Sequence, residues 1–374
     1  MSSEIPTVER EAVLLAPYAM HSADTVGRVY AEQDHPYRGP FQRDRDRIVH
    51  SSAYRRLAHK TQVFTGHLGD YHRSRLTHTL EVASIARTIG RVLRLNEDLI
   101  EALALMHDIG HPPFGHAGED VLDECAKNCG GFNHNHHAVR IVTLLESRYP
   151  DFPGLNLSQE VISGQGTRVK GKPADAKAPL LEVQIVDAAD SIAYDSHDAD
   201  DALELGLLEL DELLAVPLWR EAAQRVQQRY AALEAEQLRR AIIHQLIETL
   251  VSDLVDSTSA RLRKADVDSP TAVMDCGARL AAPSAEFSEQ KAELETFLFE
   301  NVYRHPTVLA ERKVASEALR EMFARYALDP SELPRKFRQR VDTDGSERAA
   351  CDFLAAMTDR FALDLFQRSR EAPH

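Results

Sequence analysis

Histidine and carboxylate side chains are concentrated in one part of this chain. Of its 17 histidines, His72, His78, His107, His111, His116, His134, His136 and His137 share a single stretch. Clustered imidazoles beside carboxylates are the groups of metal ligation and of proton transfer near neutral pH. His107 and Asp108 close the apolar run Ala-Leu-Ala-Leu-Met. Neighbouring helical residues point about 100° apart, so both can address one ion only where the helix ends. Gly110 and the pair Pro112-Pro113 supply that end. Asp187, Asp190, Tyr194 and Asp198 form one polar stripe along an otherwise apolar helical segment. A carboxylate buried in such a segment must be paired or hold a metal. Two imidazoles with carboxylates suit a divalent ion that keeps open positions, such as Mn, Fe, Co, Zn or Mg. The four cysteines form no Cys-x-x-Cys motif. That argues against a structural zinc site and for the reduced thiols of a cytoplasmic protein.

The elements that must position these groups are read from hydrophobic period. Residues 46–63 read as a helix, closed by Gly66 and Gly69. Residues 76–93 read as a second, with Leu76, Leu80, Ala83, Ile89 and Val92 on one stripe. Further helices are expected at 99–107, 117–128, 136–148 and 180–214, and a long amphipathic one at 218–265. Residues 150–179, rich in glycine, and 266–292 read as loops. Residues 1–40, with four prolines, are expected to be partly ordered or to wrap over the body. Strand-like alternation is nearly absent, so the fold class is all-α. The expected organisation is an N-terminal segment 1–40, a catalytic core 41–215 and a helical C-terminal part 216–374 packed on that core.

Composition narrows the partners. Apolar residues make up 43% of the chain, enough for a sizeable core, and no apolar window is long enough to span a membrane. The stretch Met1–Arg10 has no apolar segment of the secretory type. A net charge of −15 disfavours a long nucleic acid as partner. The basic residues Arg38, Arg43, Arg45, Arg47, Arg55, Arg56, Lys60, Arg73 and Arg75 nevertheless gather near the N-terminal end. A local basic patch on an acidic protein fits a small polyphosphate.

Several segments resemble the HD superfamily of phosphohydrolases, and within it the deoxynucleoside triphosphate triphosphohydrolases. They are RDRDRIVHSSAYRRLAHKTQVF, RLTHTLEV, ALMHDIGHPPFGHAGE, GGFNHNHHAVRI and VDAADSIAYDSHD, with a weaker match at VYRHPTV. They occur in the family's order over most of the chain. The resemblance implies an HD helical bundle with additional C-terminal helices. It implies that His78, His107, Asp108 and Asp190 are metal ligands. His116 with Glu119 would be the acid–base pair, and i,i+3 spacing at a helix start lets the two touch. His111 and His134 would lie beside the phosphates, and Arg75 would bind phosphate. Gln62 and Asp198 would hold the 3′-hydroxyl and Tyr194 would pack on the sugar. Tyr303 and His305, in the weaker segment, would also bind substrate. The implied reaction is hydrolysis of a dNTP to deoxynucleoside and tripolyphosphate. The implied partners are a dNTP substrate, an activating nucleotide in some members, and copies of the chain itself in an oligomer, often a hexamer. One departure stands out. His137 occupies the place of the family's usual glutamine, which touches base or phosphate recognition and leaves the metal site alone. The competing readings are an HD phosphohydrolase of nucleoside monophosphates or guanosine tetraphosphate, and a non-catalytic regulator that binds nucleotide or nucleic acid.

Overall fold

The computed structural model describes residues 7–62, 73–168 and 177–371. His72 and the expected breaks at Gly66 and Gly69 lie outside the described residues. Within them the chain is helical, and extended pairing is confined to isolated bridges such as Arg28 with Ser158. Among the described residues, no helix is long and apolar enough to cross a membrane.

The site is carried by three helices, Arg75–Val92, Glu97–Met106 and Leu181–Glu204, which pack on one another. Each starts where its local chemistry dictates. The Ser74 hydroxyl accepts from the Thr77 amide, and the Asn96 side chain accepts from the Leu99 amide, so both caps satisfy amides that the helix leaves free. The inward face of Arg75–Val92 is not the one read from its apolar period. His78, Thr79, Val82, Ala83, Ala86 and Ile89 are buried, whereas Leu80 and Val92 are 50% and 59% exposed. Turning His78 inward rotates the stripe. The apolar groups behind the site, including Leu99, Met106, Val183, Ile185 and Ala189, are closed to solvent.

Residues 1–40 wrap over this body from Thr7 onward. The Ala16 amide donates to the Arg94 carbonyl and the Tyr18 hydroxyl to the Leu93 carbonyl. Arg28 pairs with the buried Asp44. A second core joins Phe114, Val121, Leu122 and Phe132 to residues of the C-terminal helices, among them Leu319, Phe323, Leu354 and Phe366.

Four expected boundaries are corrected. Residues 46–63 are not one helix. Pro40–Val49 ends, the Ser51 hydroxyl accepts from the Tyr54 amide, and Ser52–Arg56 starts afresh. The segment at 136–148 begins earlier, at His134, because the Asn133 side chain caps it, and it ends in the wider turn Ile141–Leu145. The run at 218–265 is two helices, Pro217–Arg229 and Ala235–Ala265, restarted by a reciprocal cap between Glu234 and Gln237. The stretches read as loops contain Gln159–Gly166, Pro270–Asp275 and the beginning of Ala285–Leu298. Gln159–Gly166 is held by tertiary packing. A β-carbon at Gly164 would meet Leu103 Cδ2 at 2.7 Å and Val183 Cγ2 at 2.9 Å, so only glycine lets the helix sit so close to the two site-bearing helices.

Candidate active site and metal centre

The four expected metal ligands converge. His78 comes from the first turn of Arg75–Val92, His107 and Asp108 from the end of Glu97–Met106, and Asp190 from the middle of Leu181–Glu204. His78 Nε2 lies 3.0 Å from Asp190 Oδ1, and His107 Nε2 lies 3.6 Å from the same oxygen. His107 Nε2 is 3.4 Å from Asp108 Oδ1. The His107 ring donates from Nδ1 to the Ala104 carbonyl at 2.6 Å, which turns Nε2 toward the carboxylates. That Nε2 is buried and makes no hydrogen bond. A buried, unsatisfied ring nitrogen facing two carboxylates is the donor arrangement that a divalent cation completes, so these residues fit one.

The electrostatics agree for His107, Asp108 and Asp190. Burial pushes the His107 imidazole down, which keeps it neutral. Burial opposes ionisation of Asp108, but His107, Arg75 and His111 outweigh it and hold the carboxyl well below its ordinary range. Asp190 is likewise held down, by His107, His78 and Arg168 against the effect of burial. His78 runs the other way: burial lowers its imidazole, but the bond and charge of Asp190 outweigh that and raise it, so a cation would have to displace its proton, since neutral imidazoles and ionised carboxylates are the forms that ligate.

A second group adjoins the first through Asp108, whose Oδ1 is 3.3 Å from His111 Nε2. His111, Glu119 and His134 offer nitrogen and oxygen atoms within 4.8 Å of one another. The rings of His111 and His134 stack at 3.9 Å with 16° between planes. Imidazole lone pairs lie in the ring plane, so near-parallel rings point theirs side by side rather than at a common ion. This group is therefore better arranged to pass protons than to hold an ion. Glu119 accepts from His134 Nδ1 at 2.8 Å and from the His134 amide at 2.9 Å. It also faces His116 Nδ1 at 3.4 Å. The expected pair His116–Glu119 is in contact, yet Glu119 is bound more closely by His134, a partnership the sequence reading missed. Burial opposes ionisation of Glu119, and the bonds from His116 and His134 overcome it and keep it a carboxylate. The turn that aims these groups is strained. Phe114, a non-glycine residue, has φ 64°, and its amide is held by Asp359 Oδ1 at 3.0 Å.

His116 opens onto a cavity of about 220 Å³ lined also by Gln62, Phe114, Ala117, Tyr194, Phe299, Tyr303 and Arg312. The rings of Tyr194 and Tyr303 stack at 6.0 Å, and the Tyr303 hydroxyl donates to the buried Asp198. Burial raises the Asp198 carboxyl to about 7. Gln62, Tyr194, Tyr303 and Asp198 are thus brought together. His305 is not among the residues lining this cavity, and its ring instead caps the helix Pro306–Leu328. Arg312 is a residue the sequence reading did not single out. Among the described residues its guanidinium has no hydrogen-bonded or ionic partner. Only its place in the fold could reveal it.

The basic residues expected to cradle phosphates are largely committed elsewhere. Arg75 is 1% exposed and donates to Asp108 Oδ2 at 2.7 Å. Arg73 pairs with Glu81, Asp200 and Asp201. Lys60 is buried, donates to the carbonyls of His111 and Ala355, and is pushed by burial down to about 7. Arg56 and His137 line a different cavity of about 400 Å³, which shares no lining residue with the first. The His137 ring also packs against Phe132, with centroids 5.2 Å apart.

Comparison with known proteins gives the family. Residues 75–195 match the HD domain, and residues 281–368 match a phosphohydrolase-associated domain. A deoxyguanosinetriphosphate triphosphohydrolase-like protein of Geobacter sulfurreducens is 45% identical, with 95% of this chain and 94% of that one aligned. Proteins of the same description from Geobacter metallireducens and Leptospira interrogans are 43% and 40% identical, over 95% and 96% of this chain and 94% and 97% of theirs. The chain belongs to the deoxyguanosinetriphosphate triphosphohydrolase-like family. Membership makes it a hydrolase of the HD type. Within this family member, all four residues resembling the metal ligands lie inside the HD match.

Proposed function

We propose that this chain hydrolyses deoxynucleoside triphosphates to deoxynucleoside and tripolyphosphate, using a divalent cation held by His78, His107, Asp108 and Asp190. One observation carries the reading. A metal-fitting cluster and an acid–base cluster share Asp108 Oδ1, and the acid–base cluster opens onto the cavity that holds Tyr194 and Tyr303. The bound cation would supply Lewis-acid charge at the α-phosphoryl group.

The chain's own residues supply the rest. Glu119 holds His116 and His134 through their Nδ1 atoms, which leaves each Nε2 for proton transfer. His116, at the cavity mouth, would protonate the leaving 5′-oxygen as water attacks phosphorus. The tyrosine pair would pack on the sugar, and a ring filling the 2′ position rejects ribonucleotides on steric grounds. Asp198 and Gln62 would receive the 3′-hydroxyl. The deciding experiment is phosphorus NMR of the products from all four dNTPs with Mn²⁺, run in ¹⁸O-labelled water. Tripolyphosphate as first product, carrying the label, is expected. Orthophosphate first, or label in the nucleoside hydroxyl, refutes the reading.

A second reading, hydrolysis of nucleoside monophosphates, has one observation in its favour. Of the cations expected to hold outer phosphates, Lys60, Arg73 and Arg75 are already engaged, and among the described residues Arg312 is the one guanidinium lining the cavity. The same product assay separates the two.

A further inference from the structure

The polar stripe on Leu181–Glu204 includes Asp187, one turn before Asp190, and the reaction above gives it no role. Asp187 is gripped from both sides. Arg168 Nη2 lies 2.8 Å from its Oδ1, and Arg279 Nη2 lies 2.8 Å from its Oδ2. The other arm of Arg168 points at the metal site, with Nη1 3.8 Å from Asp190 Oδ2. That is the outer oxygen of Asp190, because Oδ1 is the one facing His78 and His107. Arg75 stands in the same relation to Asp108, occupying its outer oxygen at 2.7 Å. Each ligating carboxylate thus has one oxygen toward the imidazoles and one toward an arginine.

Arg168 is not a surface side chain that happens to reach inward. Its side chain is 12% exposed. It lies two residues past the helix Gln159–Gly166, and its amide donates to the Gln165 carbonyl at 3.2 Å. The Gln165 side chain is buried and donates to the His107 carbonyl at 3.1 Å and to Asn135 Oδ1 at 2.9 Å. This helix therefore touches the backbone of one ligand through Gln165 and the carboxylate of another through Arg168. Gly164 is what allows it to lie close enough to do both.

We propose that Arg168 is a positioning residue for the metal centre, anchored by the Arg279–Asp187 pair and holding Asp190 so that it ligates through Oδ1 alone. A carboxylate free to rotate no longer keeps Oδ1 turned toward the imidazoles, so binding an ion must first reorder it at a cost in affinity. With Arg75 and Arg168 on the outer oxygens, both carboxylates act as single-atom donors and coordination positions stay open. At 3.8 Å the contact with Asp190 is a charge interaction, so its orienting effect depends on where Arg168 sits, and the closer ion pair with Asp187, 2.8 Å and without a hydrogen bond, favours that place. The inference rests on the metal assignment made above and not on which nucleotide is cleaved.

The test is Mn²⁺ binding by titration calorimetry on the full chain, with no nucleotide present. R168Q should bind Mn²⁺ about 10- to 100-fold more weakly than the wild type, the usual effect of removing an outer partner of a ligand. D187N should weaken binding in the same direction. The double variant should be no weaker than R168Q, because both changes break one path. R168K, which keeps the charge, should recover part of the loss and shows that the fold is intact. R168Q binding Mn²⁺ as tightly as wild type, or tighter, overturns the proposal while H107A still loses the ion. So does unchanged Mn²⁺ affinity with weakened binding of inorganic tripolyphosphate, which would make Arg168 a phosphate anchor. A wild-type chain without any Mn²⁺ site would instead sink the metal assignment, and this inference with it.

Discussion

Replacing Gly110 by alanine places one methyl group where the helix His134–Arg140 crosses the turn after Asp108. The new β-carbon would lie 2.0 Å from the His134 carbonyl oxygen, 2.5 Å from the Ala138 amide nitrogen and 3.0 Å from Ala138 Cα. All three are backbone atoms, so no side chain can swing aside. Comfortable contact starts near about 3.5 Å, so the helix must retreat by roughly 1 Å or more. The helix cannot retreat freely, since Arg140 is tied to Asp352 and Asn135 to Gln165. His134 moves with it, which loosens its 2.8 Å bond to Glu119 and its stack on His111. Overpacking of this kind costs about 1–3 kcal/mol of stability. A misplacement of about 1 Å in a catalytic group can cost ~10²-fold in rate. Gly110→Ala should therefore fold, melt at a lower temperature, keep its metal and lose kcat by ~10² with little change in KM. Circular dichroism melts, metal analysis and steady-state kinetics with dGTP measure the three quantities. Wild-type kcat in this variant would show that His134 and its helix need not be where the structure puts them. Loss of metal together with activity would place the strain on His107 and Asp108 instead.

Other expectations follow from the same geometry. His107→Ala or Asp190→Ala should abolish bound metal and activity while leaving the helical signal nearly unchanged, and full metal content in Asp190→Ala would break the ligand assignment. His116→Ala should keep metal and nucleotide but lose kcat by ~10² or more, as for a proton-transfer group; a change confined to KM would make it a binding residue. The buried Asp198, raised from 3.8 to about 7, makes a prediction about stability against pH. Its folded pKa lies above its unfolded one, so its contribution is fully present in acid and is lost as pH rises from about 4 through about 7. Asp198→Asn, which cannot ionise, should melt higher than wild type at pH 8.5 and show that advantage shrinking toward pH 5. An advantage that is the same at both pH values would mean Asp198 is not carrying that ionisation.

How much of this was legible beforehand depends on what each feature rests on. The all-α class and the main helices were readable because period and caps are local properties. His107 and Asp108 ending an apolar helix, and Asp190 in a polar stripe along an otherwise apolar segment, were visible for the same reason. The contact of His116 with Glu119 followed from i,i+3 geometry. Segments with weak local signals were misread. Gln159–Gly166 contains two glycines and little apolar period, and it is helical because Leu103 and Val183 leave room only for the bare backbone of Gly164. The inward face of Arg75–Val92 was misjudged because apolar period cannot anticipate that a histidine must point into the core.

The sequence by itself determined which side chains could do chemistry, since ligand and acid–base character belong to residue type and short spacing. Only the tertiary structure decided who is paired with whom. Glu119 meets His134 across fifteen positions of chain. Arg75 and Arg168, which look like free cations in the sequence, prove to be held against Asp108 and Asp190. A charge buried beside an opposite one is neutralised in place, and that neighbour is chosen by how helices pack, which no local pattern records.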